Sequence, residues 1–156
     1  MHGHMLSLAS SPPFCRHVLF HAGGCLTPRA EGEVWVGGTL EDVGFAKSVT
    51  ADGVRALLAD VERMCPAGLS RSLVRTWSGL RPFVPDGGPV LGRHPGIENL
   101  VVATGHHRNG ILLGPLTGEI VHAIVDDAEP LVDLAPFAEA LMAPWTVRSE
   151  PRIDYT

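Results

Sequence analysis

Residues 105–121 read GHHRNGILLGPLTGEIV: a polar, histidine-rich turn runs directly into an apolar helix. A helix N-terminus carries unpaired N–H groups and a partial positive charge. A polar turn in front of one is a place for an anion or for the polar edge of a cofactor. Gly105 and Gly110 allow a ligand to approach the backbone closely, and Asn109 tolerates a left-handed backbone or makes a local bond. The alternative is an ordinary strand–glycine–helix junction with Arg108 in solvent. A second candidate is Arg81, set between Leu80 and Pro82 in WSGLRPFVPDGGPVLG. A guanidinium in so apolar a context suits bidentate carboxylate recognition. It equally suits an ion pair with an acid such as Asp86, and Asp86-Gly87-Gly88 is most simply a turn.

The chain has 8 histidines, which raises the question of a metal. His2 and His4 lie at a start expected to fray. His106 and His107 are adjacent and would point in opposite directions on an extended segment. His17 and His21 are four apart, but in a region that reads as strand, where that spacing does not bring two ligands together. No HExxH or similar pattern occurs. No dedicated metal site is therefore expected, and a small metal- or anion-binding domain using His106, His107 and Arg108 is kept as an alternative. Cys25 has no obvious base beside it and reads as a plain buried thiol. Cys15, Cys25 and Cys65 are odd in number and form no CxxC. A disulfide framework or structural zinc site is not indicated, and a reducing, cytoplasmic setting fits.

The elements that must position these residues follow from pattern. A chain of 156 residues can bury the core of one ordinary domain, and 45% hydrophobic with 19% charged residues is a globular composition. The net charge of -5 comes from interspersed acids and bases, which argues against a nucleic-acid partner. No apolar run reaches the length of a membrane span, and MHGHMLSLASSPP lacks the features of a signal peptide. Residues 4–8, 17–21, 25–28 and 33–39 read as short strands, with turns at Gly23-Gly24 and Glu31-Gly32. A helix follows, capped by Thr50, with Val54, Leu57, Leu58, Val61 and Met64 on one face and Cys65-Pro66 as its stop. Residues 73–78 read as strand, and the GLRPFVPDGGPVLG segment as loop with two short apolar pieces. Residues 99–104 read as a strand buried on both faces. A helix then opens near Gly114-Pro115, with Leu116, Ile120, Val121 and Ile124 facing inward. A weaker helix over 133–142 has Asp133 as its cap, and the tail from Pro144 is expected to be loose. The order predicts an α+β (mixed α/β) fold: an antiparallel meander with its helix, then a piece of a parallel sheet.

Taken together, RTWSGLRPFVPDGGPVLG and NLVVATGHHRNGILLGPLTGEIV resemble the C-terminal part of the FAD-dependent amine and amino-acid oxidases. The nearest likeness is to the thiamine-pathway glycine oxidases of the D-amino-acid oxidase superfamily. HGHMLSL, CLTPR and VWVGGTLEDVGF fit the same pattern, so the resemblance runs from about His2 to Val125. It implies FAD as cofactor and oxidative deamination of glycine or another small amino acid or amine to an oxo acid, ammonia and hydrogen peroxide, with molecular oxygen as acceptor and a link to thiamine biosynthesis. It implies that residues 1–78 belong to a substrate-binding domain, that residues 79–143 are the C-terminal part of an FAD-binding domain with its last strand and helix, and that 144–156 form a tail. His106, His107, Arg108, Asn109, Gly110, Ile111 and Leu112 match the stretch that wraps the flavin, and Arg81 and Arg108 match the arginines that hold the substrate. The GxGxxG of the family's first strand–turn–helix does not occur here. A fragment, a non-catalytic remnant or a half that works with a separate FAD-binding partner is thus also implied. Two departures bear on substrate: Cys25 stands where a tyrosine is usual, and His107 where an aromatic residue follows Gly-His.

Overall fold

Alternation decides the first sheet. In β1 (His2–Ala9) His2, His4, Leu6 and Leu8 share one face, because successive strand side chains point to opposite sides. The structure is a computed structural model that describes residues 1–21, 24–85 and 88–142. It divides between Leu80 and Arg81 into two compact units, and its α+β architecture is the one expected.

In the first unit β1 lies between β4 (Glu33–Gly37) and β5 (Leu73–Leu80), and β3 (Gly24–Pro28) and β2 (Leu19–His21) extend the far edge. The order β2-β3-β4-β1-β5 is antiparallel throughout, with Met5 opposite both Gly37 and Trp77. Helix α1 (Ala51–Met64) covers one face. Its N-cap is Thr50, whose hydroxyl accepts from the Gly53 N–H at 3.1 Å, and it stops at Cys65 before a short 3-10 helix, Pro66–Ser70. Leu57 and Val61 of α1 are fully buried against Leu6, Leu26, Val34 and Val36 of the sheet. On the opposite face Trp35 and Trp77 meet edge to face at 5.3 Å, with the Arg29 guanidinium 4.5 Å from the Trp35 ring and that of Arg75 5.0 Å from Trp77. All three cysteines are free thiols.

The expected fraying at the start does not occur. His2 and His4 are only 1% and 0% exposed. The reason is position in the sheet: β1 has a strand on each side, and α1 closes over it. The His4 ring is wedged there. Its Nε2 accepts from the Thr50 N–H at 3.0 Å, and its Nδ1 lies 2.9 Å from Glu41 Oε1. Burial would raise the Glu41 carboxyl, but the Thr39 hydroxyl and the imidazoles of His4 and His2 outweigh it and hold the carboxyl below its ordinary value.

The second unit is built on the hairpin β6 (Val90–Arg93) with β7 (Val101–Thr104), helix α2 (Gly110–Val125) and helix α3 (Ala135–Met142). Its core is Leu91, Ile120 and Ile124, joined by Val101, Leu134 and Phe137. Arg93 ties the hairpin to the end of α2, donating to the Ile124 carbonyl at 2.5 Å and to Asp127 at 2.7 Å, where a cation also complements the helix dipole. Asp133 accepts from the Ala135 N–H at 3.0 Å, in the capping place expected for it. No helix among the described residues is long and apolar enough to cross a membrane.

Three expectations for this half need correction. The segment after β5 is not all loop, since it contains β6. β7, expected to be buried on both faces, is half-buried with Ala103 exposed, and among the described residues its hydrogen-bonded neighbour is the antiparallel β6. Helix α2 opens at Gly110, a turn before Gly114-Pro115, because the Leu113 N–H already reaches the Asn109 carbonyl at 2.8 Å; Pro115 thus lies inside the helix, close enough to its start for the lost bond to fall on the exposed Ile111 carbonyl. The tail from Pro144 lies outside the described residues.

Gly53 supplies a test of the α1 contact. Helix propensity alone says that Gly53→Ala should stabilise by about 0.5–1 kcal/mol. An added Cβ would instead stand 2.4 Å from the His4 ring, held in place by its bonds to Thr50 and Glu41. The expected outcome is net destabilisation by about 1–3 kcal/mol, read as a lower urea midpoint; a midpoint raised by the substitution would show that the helix–strand contact is loose.

Candidate functional site

The turn before α2 is held by a short extended segment, residues 82–84. The Pro82 carbonyl accepts from the His107 N–H at 2.9 Å, Phe83 and His106 form an antiparallel bridge, and the Phe83 ring meets the His107 ring edge to face at 5.3 Å. Gly105 adopts φ +81, and a Cβ there would stand 2.6 Å from Val84 Cγ2 and 3.5 Å from the Pro89 backbone. Only glycine satisfies both the conformation and the space. His107 takes the next left-handed position, at φ 51. Asn109, for which a left-handed backbone or a local bond was considered, has φ -101 and its side chain does not cap the helix. The bend has already been made two residues earlier.

Because α2 begins at Gly110, the N–H groups of Gly110, Ile111 and Leu112 have no intrahelical acceptor. They stand at the positive end of the helix dipole. The Ile111 and Leu112 side chains are 97% and 78% exposed, a large apolar surface at the mouth of a polar turn. His106 is pinned to α2 by a bond between its Nε2 and Thr117 Oγ1 at 2.9 Å.

The electrostatics are cationic. Arg81 is half-buried, and burial together with the nearby charge of Arg108 lowers the pKa of its guanidinium. Arg108 is exposed. Burial, then Arg81 and Arg108, push the His107 imidazole below its ordinary value. Its Nε2 is buried and makes no hydrogen bond among the described residues. A neutral ring nitrogen without a hydrogen bond among the described residues thus stands beside two guanidiniums.

The structure therefore brings Arg81, His106, His107 and Arg108 to one turn, with Gly110, Ile111 and Leu112 on the helix behind it. Asp86, the acid considered for Arg81, lies outside the described residues. Cys25 sits in the first unit, on the sheet face opposite α1, with its sulfur 3.8 Å from Thr27 Oγ1. Sequence reasoning missed Phe83, Val84 and Thr117. The proximity of Phe83 and Val84 to Arg81 in sequence is the signal that could have drawn attention to the first two; nothing local marks Thr117. It also missed the convergence of His2, His4 and Glu41, although the HGH spacing puts both rings on one face of a strand.

Comparison with known proteins extends the picture. A family model described as FAD dependent oxidoreductase matches residues 1–124. The glycine oxidase of Pseudomonas putida is 35% identical over 136 residues, covering 87% of this chain and 37% of that protein. The glycine oxidase of Geobacillus kaustophilus is 38% identical over 137 residues, covering 87% of this chain and 36% of that one. The crystal structure of glycine oxidase from Geobacillus kaustophilus superposes with a TM-score of 0.82 at 37% identity, over 88% of this chain and 37% of its own. The chain thus spans 36–37% of the length of these relatives.

Two outcomes are expected of this turn. Gly105→Ala combines a left-handed strain of about 1–2 kcal/mol with the clash against Val84, and should lower the unfolding midpoint of the second unit; a midpoint within error of the parent protein would show that the turn is not so constrained. For His107 the sign follows from linkage. Its folded pKa is below the unfolded value of 6.5, so the unfolded state holds more protons in that interval. The contribution is fully present above pH 6.5 and is lost as pH falls through the lowered pKa. His107→Phe should therefore lose less stability than the parent between pH 7 and pH 5, measured by denaturant midpoints, and parallel pH curves would contradict the assignment.

Proposed function

The chain belongs to the family of FAD-dependent oxidoreductases, and from that premise we propose that it supplies the substrate-carboxylate and flavin-edge portion of an amino-acid or amine oxidase of the glycine oxidase type. In this reading residues 1–78 contribute to the substrate domain and residues 79–143 to the flavin side. The observation that carries it is the convergence of Arg81 and Arg108 on a glycine-tight turn in front of an uncapped helix start.

The residues present fit one edge of the cofactor. The close approach at Gly105, the uncapped N–H groups of Gly110, Ile111 and Leu112, and the unpartnered His107 Nε2 suit the carbonyl-bearing pyrimidine edge of an isoalloxazine ring. His106, Arg108 and Asn109 complete the wrapping stretch. The sequence has no GxGxxG for the pyrophosphate. When bound, the flavin supplies the hydride acceptor that amine oxidation requires.

The chain's own part is binding and orientation. Arg81, half-buried, grips the carboxylate of glycine or another small amino acid in a bidentate pair, and Arg108 closes on it from the exposed side. The N-terminus of α2 favours negative charge at the ring edge. His107, held neutral, donates or accepts at its free nitrogen without adding a third cation. Ile111 and Leu112 offer an apolar surface that keeps water away from whatever covers them. The overall reaction would turn the amine and oxygen into an oxo acid, ammonia and hydrogen peroxide. Cys25, shorter than the usual tyrosine and a weaker donor, opens the choice among small amines. A role in thiamine biosynthesis and a cytoplasmic location accompany this reading.

A second form of the same reading has flavin held jointly with a separate FAD-binding half. A metal- or anion-binding domain built on His106, His107 and Arg108 is less well supported, since His106 is bonded to Thr117 and His107 is stacked on Phe83.

The test is reconstitution with an FAD-binding half carrying GxGxxG, followed by flavin absorbance and glycine-dependent peroxide release. Arg81→Ala should raise KM roughly 10–100-fold while flavin stays bound, with Arg81→Lys in between, and Arg108→Ala should impair both KM and kcat. Flavin loss at unchanged KM in Arg81→Ala would remove that residue from the substrate site, and normal kinetics in Arg108→Ala would remove the other.

A further inference from the structure

The first unit holds a second constellation that flavin chemistry leaves unused. His2 and Glu41 are locked together by two backbone bonds, His2 N–H to the Glu41 carbonyl at 2.8 Å and Glu41 N–H to the His2 carbonyl at 3.0 Å. His4, two residues along β1, projects on the same face. One ligand atom from each of the three lies within 4.8 Å of the others. His2 Nδ1 is 3.5 Å from Glu41 Oε2, and His4 Nδ1 is 2.9 Å from Glu41 Oε1.

The His2 ring is the telling member. It is 1% exposed, yet neither of its nitrogens has a hydrogen-bond partner among the described residues. Buried polar groups are almost always bonded, and leaving both nitrogens of an imidazole unmet is costly. An ion would meet one of them. Two imidazoles and a carboxylate are a common donor set for zinc and its neighbours. Tetrahedral bonds of about 2.0–2.1 Å space ligand atoms about 3.3 Å apart, so small side-chain rotations close the present gaps. The Glu41 side chain is 33% exposed, which leaves an entry path and room for a water as fourth ligand.

We propose that His2, His4 and Glu41 form a three-ligand site for a divalent transition metal of the zinc class, clamping the start of β1 to the segment after β4. The proton balance is specific. Without metal, His4 Nδ1 carries the ring proton, shared between Glu41 Oε1 and Thr39 Oγ1 at 2.9 Å each, and Nε2 accepts from the Thr50 N–H. With metal on Nδ1 the proton moves to Nε2, which then donates to Thr50 Oγ1, at present 3.3 Å away. The Thr50 N–H gives up its acceptor in exchange. The positive end of α1 opposes a cation here, so binding weaker than that of the tightest structural zinc sites is expected.

The experiment uses the full chain, stripped with chelator and titrated with cobalt(II). One equivalent should give the intense visible bands of tetrahedral cobalt, zinc should displace it, and zinc should raise the thermal midpoint. Glu41→Gln should weaken binding about 10-fold or more, which separates this site from chelation by the first residues of the chain alone, and His2→Gln should do the same. His106→Gln/His107→Gln should bind normally. Should a histidine variant misfold by circular dichroism, nitrogen-15 shifts of His4 in the parent chain decide: its proton must move from Nδ1 to Nε2 on zinc addition. A folded chain without cobalt bands, bands undiminished in Glu41→Gln, or an unmoved His4 proton each overturns the proposal.

Discussion

The approach of Val84 to Gly105 is the constraint on which the second unit's chemistry depends. It leaves no room for a Cβ and requires a left-handed backbone at the same residue. Those two demands bring residues 82–84 against the turn, so the Pro82 carbonyl captures the His107 N–H and Phe83 pairs with His106. Arg81 immediately precedes that segment, and Arg108 immediately follows His107. The two guanidiniums are neighbours in a turn where a glycine lets the Val84 side chain lie against the chain. They would repel each other and drift apart on flexible loops. Held as they are, the charge of one bears on the other, as the lowered pKa of Arg81 records.

The same charges also explain why the intervening histidine is neutral. A protonated His107 would be a third positive charge in a half-buried turn, so burial and the arginines act in the same direction on its pKa. The helix start adds partial positive charge with no protons to lose. The turn thus sets one uncharged ring nitrogen, able to discriminate donors from acceptors, beside two guanidiniums.

Much of this was legible in the sequence where a local rule governs. Thr50 as cap, the Leu57 and Val61 face of α1, the Glu31-Gly32 turn and the strand character of HMLSL each follow from propensity or period, and the structure follows them. The likeness of the two motifs to flavin-dependent oxidases was legible because glycines and arginines at fixed separations are rarely accidental. What escaped was non-local. The burial of His2 and His4 depends on β5, which joins β1 from some seventy residues away. The early start of α2 depends on a turn closed by His107, where the residue types alone pointed to proline. The exposed side of β7 could not be seen from a run of apolar residues, since hydrophobicity records what a strand would bury and not which neighbour it has.

The two units differ in what they ask of their surroundings. The first closes a five-stranded sheet under a helix, with Leu6, Leu26, Leu57 and Val61 fully buried. That is a self-contained core. The second rests on a two-stranded hairpin, an arrangement marginal in isolation, and presents Ile111, Leu112 and one side of β7 to solvent. Apolar surface beside unpaired strand groups is where another sheet strand or a bound ring would gain most. The cationic turn is ordered by contacts within its own unit, whereas the apolar rim around it is left for something else to cover.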